Sequence, residues 1–300
     1  NSKELWDTIH STADMFGTKG VWGPEPTQTG VCRLALSDLD KQVKDWFIKE
    51  TESLGCTIKI DECGNIFATY PGKYNDKAPT GMGSHLDTQP TGGRYDGIYG
   101  VLAGLQVLRT LKANNITPNY PITLVDWCNE EGARFAMSLM ASSVWAGVKT
   151  KEEIYKLKDV FDNETTVLHE LERIGYLGEV ECSYKANPLH CHFEIHIEQG
   201  PILEEYGKKI GVLTGAQAYN WLTVNIKGMS QHTGTTPMEF RRDALLGASK
   251  IISGINEAAK KHRGLASVAK LSLLPDVANV IPGEVEFVLD IRHEKDEGLA

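Results

Sequence analysis

Four short stretches present imidazole and carboxylate side chains in loops beyond strands: SHLD with His85 and Asp87, RYDGIYG with Asp96, NEEG with Glu130 and Glu131, and HIEQGP with His196 and Glu198. Imidazole and carboxylate donors together suit zinc or a similar divalent cation, and no thiolate lies within these four stretches. Each alone has a plainer reading. A single histidine at a strand end is usually a satisfied polar residue, paired glutamates after a strand often sit at a helix N-terminus, and Asp-Gly is ordinary turn chemistry. Their recurrence at successive strand ends is what points to a metal centre. Asp87 suits a supporting carboxylate, accepting a hydrogen bond from a ligating imidazole. Adjacent Glu130 and Glu131 permit one to bind metal while the other acts as a general base; spacing leaves open which does which.

The elements that must position these residues follow from periodicity and turn chemistry. An opening helix over KELWDTIHSTADMF is followed by a Gly/Pro-rich loop, GVWGPEPTQTG. Ser37 is placed to cap an amphipathic helix over DLDKQVKDWFIKETESLG. CTIKIDE and IFATYPG, separated by a CGN turn, read as a hairpin. Then come a strand at GMGSHLD, a helix at GVLAGLQVLRTLKANN, and a strand at YPITLVDWC leading into NEEGARF. Residues 150–180 read as helical and charged, and HCHFEIHIEQGP as a strand ending in a polar loop. Alternating strands and helices predict an α/β domain whose mixed sheet is largely parallel, with ligand sites at the carboxyl ends of its strands. Beyond Gly215 the order changes to strand (WLTVNIKG), long helix, strand (SVAKLSLLP) and strand (EVEFVLDIRH), with a helix beginning at the end. This is the start of a smaller ferredoxin-like α+β unit. The expected domains are therefore 1–215 and 216–300.

Bulk properties narrow the function classes. The chain has 300 residues, enough for a large core, with 31 basic and 40 acidic residues giving a net charge of −9. That balance argues against a nucleic-acid partner. No apolar run approaches the ~18 residues of a membrane span. The six cysteines are scattered without a CxxC pair, which suggests reduced thiols and a cytoplasmic location. The chain opens on Asn1 and stops within HEKDEGLA, so both ends read as cut.

SHLDTQ, the Asp of YDGIYG, NEEGARF and HIEQGP together resemble the M20-type metallopeptidase clan, and within it the N-carbamoyl-amino-acid amidohydrolase branch. The likeness extends over nearly the whole chain. It implies two divalent metal ions, zinc in the first instance with manganese or cobalt as alternatives. Their ligands would be His85, Asp96 as the bridging carboxylate, Glu131 and His196, with Glu130 as catalytic base. A further histidine ligand of the family has no counterpart among these residues, so the resemblance implies a catalytic domain lacking its last part and holding at best one metal well. In the second domain the resemblance implies a lid and homodimerisation role. There His232 (GMSQHTGTTPM) would stabilise an oxyanion, reaching the partner subunit's site, while Asn279 (DVANVIPG) and Arg292 (LDIRH) would hold a substrate carboxylate. Gln199 would contact substrate or support the ligands. The wording of the loops and the segment around residues 150–185 are similar to fungal β-alanine synthase, implying hydrolysis of N-carbamoyl-β-alanine in pyrimidine degradation. The alternatives are an N-carbamoyl-L-amino-acid hydrolase, an allantoate amidohydrolase, an M20 dipeptidase, or a non-catalytic binding protein on the same scaffold.

Overall fold

The structure is a computed structural model that describes residues 2–17, 25 and 28–300. Most of the Gly/Pro-rich loop expected after the first helix lies outside the described residues. The chain divides into two compact units, Asn1–Ile202 and Leu203–Ala300; the sequence expectation had put the boundary near Gly215.

In the first unit, α1 (Ser2–Met15) precedes α2 (Asp38–Ser53). The Ser37 side chain caps α2 by accepting from the Asp40 N–H, as a serine just ahead of an amphipathic run should. β1 (Thr57–Ile60) and β2 (Ile66–Tyr70) form the expected antiparallel hairpin, with Ile60 opposite Ile66. Asp61 organises the turn between them, its Oδ1 accepting the N–H groups of Cys63 at 2.9 Å and Asn65 at 3.0 Å. β3 (Thr80–Ser84), α3 (Ile98–Ala113) and β4 (Ile122–Asp126) follow. α4 (Met140–Trp145) comes next, and the stretch expected to be helical, 150–180, holds only the short helices α5 (Lys151–Tyr155) and α6 (Val167–Ile174), with turns between them. β5 covers Cys191–Phe193 alone, much shorter than the alternating run suggested, and α7 (Ile202–Glu205) spans the boundary between the units.

The sheet order is β1-β2-β4-β3-β5. β3 runs parallel to both β4 and β5, while β2 is antiparallel to β4 and to β1, so the sheet is mixed. α3 covers it with Ile98, Val101, Leu102, Leu105 and Leu108 turned inward. Gly100 permits that close approach, since a Cβ there would lie 2.7 Å from the Ile195 carbonyl oxygen. The core joins this helix to Val43 and Phe47 of α2 and to Ile66, Ala68 and Leu124 of the sheet.

The second unit contains β6 (Ala218–Lys227), β7 (Gln231–His232), α8 (Ala244–His262), β8 (Leu265–Leu274), β9 (Val280–Ile281), β10 (Glu284–His293) and α9 (Asp296–Leu299). β10 lies between β6 and β8 and is antiparallel to both, the split β-α-β arrangement of a ferredoxin-like start. Val285, Phe287 and Leu289 pack with Ala244 and Ala248 of α8 as a small core. Period-2 alternation puts Asp290 and Arg292 on the opposite face.

Candidate metal centre

The carboxyl ends of three neighbouring strands, β4, β3 and β5, point the same way and deliver the candidate residues side by side. His85 leaves β3 directly, and Asp96 follows in the loop from β3 to α3. Glu130 and Glu131 follow β4, and His196 follows β5. Ligand atoms of His85, Asp96 and His196 all lie within 4.8 Å of one another. The two imidazole rings are 6.0 Å apart between centroids.

Each histidine has one nitrogen spoken for. His85 Nδ1 is 2.8 Å from the Asp87 carbonyl oxygen, and His196 Nδ1 is 2.8 Å from that of Ile197. A carbonyl only accepts, so Nδ1 carries the proton and Nε2 presents its lone pair to the site. His196 Nε2 then faces Asp96 Oδ1 at 3.1 Å, and His85 Nε2 faces Glu130 Oε2 at 3.3 Å. Acceptor set against acceptor requires a proton or a cation between them. With only protons to fill that gap, the hydrogen bond to Asp96 raises His196 to about 9. Burial would push Asp96 up, but its bonds to His196 and Gln199 prevail and hold it below the usual carboxylate range. His85 Nε2, Asp96 Oδ1 and Glu131 Oε1 are buried without a hydrogen-bond partner. Orphaned acceptors of this kind, from imidazole and carboxylate, are the donors a divalent cation takes, so the residues fit the group.

Glu131 stands a little apart from the three-residue cluster. Its Oε2 accepts from Gln89 Nε2 at 3.0 Å, leaving Oε1 as the unpartnered oxygen. Glu130 is about a quarter exposed beside His85, and burial raises its carboxyl above the ordinary range. A raised carboxyl pKa suits a residue that must take and return a proton near neutrality.

Asp87 performs a different task from the one its spacing suggested. The group that accepts from His85 is its main-chain carbonyl; its carboxylate lies 3.9 Å from His85 Nδ1. The carboxylate instead accepts the N–H groups of Glu130 at 3.1 Å and Glu131 at 3.2 Å, tying the β4 loop to the β3 loop. Burial pushes Asp87 up to about 7. Gln199 donates to Asp96 Oδ2 at 2.6 Å and does so from a left-handed backbone, φ 58°.

Four residues were not singled out from sequence. Gln89 fixes Glu131, as above. Asn129 sits at φ 51° and donates to the Phe135 and Met137 carbonyls, both at 3.1 Å. Asparagine tolerates that conformation, which explains its place at the head of NEEG. Glu194 accepts from the Ser84 hydroxyl and adds to the charge that raises Glu130. Gly97 is the fourth contributor: at φ 66°, a Cβ there would lie 2.3 Å from the His85 ring. A left-handed glycine at the head of α3 is therefore what makes room for the ligand.

The remaining candidates belong to the second unit. β7 pairs with β9 so that His232 is opposite Val280, and the Asn279 carbonyl accepts from Thr233 N–H at 3.0 Å. This brings His232 and Asn279 into one small hairpin-like pair. Arg292 lies over the Tyr219 ring at 5.4 Å, and its guanidinium grips Asp290 through Nε at 3.0 Å and Nη2 at 2.8 Å.

A mixed α/β sheet carrying imidazole and carboxylate at adjacent parallel strand ends defines a metallohydrolase scaffold. Residues 81–288 match the Peptidase family M20/M25/M40, and the chain belongs to that family. It is a hydrolase of the class acting on amide carbon–nitrogen bonds. The N-carbamoyl-L-amino-acid amidohydrolase of Rhizobium meliloti is 40% identical over 294 residues, covering 97% of this chain and 68% of that protein. The allantoate amidohydrolase of Bacillus subtilis is 33% identical over 255 residues, covering 83% of this chain and 61% of that protein. A crystal structure of an amidase of the hydantoinase/carbamoylase family from Burkholderia vietnamiensis superposes with a TM-score of 0.88 at 45% identity, over 100% of this chain and 70% of that one. The chain thus spans about two thirds of the length of these relatives. The expectation of a fungal-type β-alanine synthase finds no support among them; they favour the N-carbamoyl-L-amino-acid and allantoate alternatives.

Proposed function

We propose that the protein hydrolyses the carbamoyl amide of N-carbamoyl-L-amino acids, giving the amino acid, carbon dioxide and ammonia. The observation that supports it most is the set His85, Asp96 and His196 with Glu130 against His85 Nε2, in a chain similar to enzymes named for that reaction. His85, Asp96 and His196 would hold one divalent cation and the orphaned Glu131 oxygen would help hold a second, with zinc, manganese or cobalt all compatible with the donors. A cation bound there supplies Lewis acidity toward the ureido carbonyl and lowers the pKa of water. Glu130 takes the proton from the attacking water as its oxygen bonds the ureido carbon, then returns it to the departing amino-acid nitrogen as the carbon–nitrogen bond breaks. The resulting carbamate falls apart to carbon dioxide and ammonia.

His232 would donate to the developing oxyanion, and Asn279 and Arg292 would bind the substrate carboxylate. Arg292 is held by Asp290, so a substrate carboxylate must compete with that bond or share the guanidinium's remaining donors. The sheet face bearing Arg292 also carries half-exposed Tyr219 and Trp221, a surface suited to the homodimer through this unit that we propose, with His232 serving the partner's site. Light scattering of the full chain tests the dimer: a monomer at micromolar concentration removes it. Among the described residues no helix is long and apolar enough to cross a membrane. Buried thiols at Cys56, Cys63, Cys128 and Cys182 suit the cytoplasm we propose as its location.

The reaction is tested by supplying the full chain with zinc and N-carbamoyl-L-amino acids, allantoate, N-carbamoyl-β-alanine and a dipeptide in parallel. Release of ammonia from the first is expected. The second reading, favoured by the Bacillus relative, is allantoate hydrolysis, and preference for allantoate would replace the first. Turnover of the dipeptide alone would overturn both.

A further inference from the structure

Beneath the metal centre lies a buried group of charges that the hydrolytic reading leaves unused: Arg33, Asp40, Lys44 and Asp126. Lys44 and Asp40 are one turn apart on α2, with Lys44 Nζ 4.0 Å from Asp40 Oδ2, and the Lys44 ammonium is in contact with Asp126 Oδ2 at the end of β4. Asp126 and Asp40 together hold Lys44 charged, well above its ordinary value, against the opposing effect of burial. A buried ion pair is poor evidence of stabilisation, because desolvation cancels most of the attraction. What this one touches is more informative.

The other oxygen of Asp126, Oδ1, accepts the N–H of Leu86 at 2.9 Å. The carbonyl of the same Leu86 accepts from Arg33 Nε at 2.7 Å. Two residues further on, Thr88 N–H donates to the Arg33 carbonyl at 2.8 Å, and Thr88 Oγ1 accepts Arg33 N–H at 2.8 Å. On the other flank, Trp127 N–H donates to the Ser84 carbonyl at 2.9 Å. Both main-chain polar groups of the residue between His85 and Asp87 are therefore taken by the buried side chains of Asp126 and Arg33. A loop leaving a strand usually finds its backbone partners in water or in other backbone, and it remains mobile. Here a carboxylate and a guanidinium grip one residue from opposite sides.

We propose that Asp126, oriented by Lys44, and Arg33 form a clamp on Leu86 that sets the direction of the His85 imidazole toward the cation. They are positioning residues, acting through the loop. The inference rests on the reading of His85 as a metal ligand. Partners of a ligand are worth 10–100-fold in metal affinity in the sites where they have been removed (about that order).

The test compares two double variants of the full chain, Lys44→Met with Asp126→Leu and Lys44→Met with Asp126→Asn. Both lack the ion pair. They differ at residue 126 alone, where asparagine keeps an oxygen acceptor for Leu86 N–H, with an amide donor in place of the other oxygen, and leucine has neither. Zinc affinity is read by competition with a chromophoric chelator, and thermal melting in EDTA reports the fold. The clamp predicts that the leucine form binds zinc about 10–100-fold more weakly than the asparagine form, the two melting alike. Equal zinc affinities would overturn it. If either double variant fails to fold, Arg33→Met carries the test: it keeps an unbranched side chain and removes the donor to the Leu86 carbonyl. Weaker zinc binding is expected there, and unchanged binding overturns the clamp. His85→Ala is measured alongside. Undiminished zinc binding in His85→Ala removes the ligand reading and the clamp with it. Impaired binding in His85→Ala, with the two double variants equal, removes the clamp alone.

Discussion

His85 and His196 are useful to a metal because each spends its Nδ1 proton on a main-chain carbonyl, leaving Nε2 as an acceptor in a crowd of acceptors. Glu130 stands in that crowd with a raised pKa and a partly exposed carboxylate, so its proposed role differs from that of its neighbour, whose oxygen is bound by Gln89. Replacing Glu130 with Ala is expected to lower kcat by about 10²–10⁴-fold, the usual worth of a general base. Zinc affinity, read by calorimetry, should stay within a few-fold. A loss of zinc binding in place of turnover would exchange the roles of Glu130 and Glu131. The active form of a base is the deprotonated one, so kcat/KM should fall as pH drops through the Glu130 pKa, above the 4.5 of an ordinary glutamate. That acid limb should be missing from the residual rate of the alanine variant.

At the scale of the element, three parallel strand ends and one glycine do the assembling. Gly97 heads α3 at φ 66°, with its missing Cβ replaced by the His85 ring. Gly97→Ala adds a carbon 2.3 Å from that ring in a conformation L-residues avoid. It should cost about 1–3 kcal/mol in urea unfolding and weaken zinc binding by about tenfold or more; wild-type zinc affinity would mean that His85 does not need its present position. Much of this arrangement was readable beforehand. Ser37 announced α2, the CGN turn announced the hairpin, and GMGSHLD announced a strand that stops just before its histidine. The short β5 was not readable, because the alternation of Cys191, Phe193, Ile195 and Ile197 with His and Glu has the pattern of a longer strand, whereas only Cys191–Phe193 finds a partner in β3. Nor was the work of Asp87, since spacing gives proximity to His85 without telling carboxylate from carbonyl. The Arg292–Asp290 pair was within reach: residues two apart on a strand share a face.

For the molecule as a whole, the two units differ in how they are held. The second has five fully buried apolar residues at its centre, while the first surrounds its large apolar core with buried charge, including Asp87. Asp87 links that charge to overall stability. Burial places its folded-state pKa at about 7, against 3.8 for the unfolded chain. Between those values the folded protein holds a proton that the unfolded chain has released. Stability therefore falls as pH rises from about 4 to about 7 on account of this group, and is unaffected by it below. Carboxylates held below their usual range, such as Asp162, work in the opposite sense and at lower pH, so the contribution must be isolated by difference. Wild type minus Asp87→Asn, both in EDTA and unfolded by urea, should show a stability difference that declines across that interval. A cation at the neighbouring site favours the Asp87 carboxylate and displaces the proton from His196, so zinc should bind more tightly as pH rises toward about 9. At a thousandfold excess over its dissociation constant it would add about 4 kcal/mol to the fold. The zinc-induced rise in Tm should accordingly be larger at pH 7 than at pH 5, and the EDTA difference curve should flatten once zinc is present. A difference curve that rises with pH would show that Asp87 is ionised in the folded metal-free protein and that burial does not govern its charge; a zinc effect that is greater at pH 5 would show that zinc displaces no proton from His196 or Asp87.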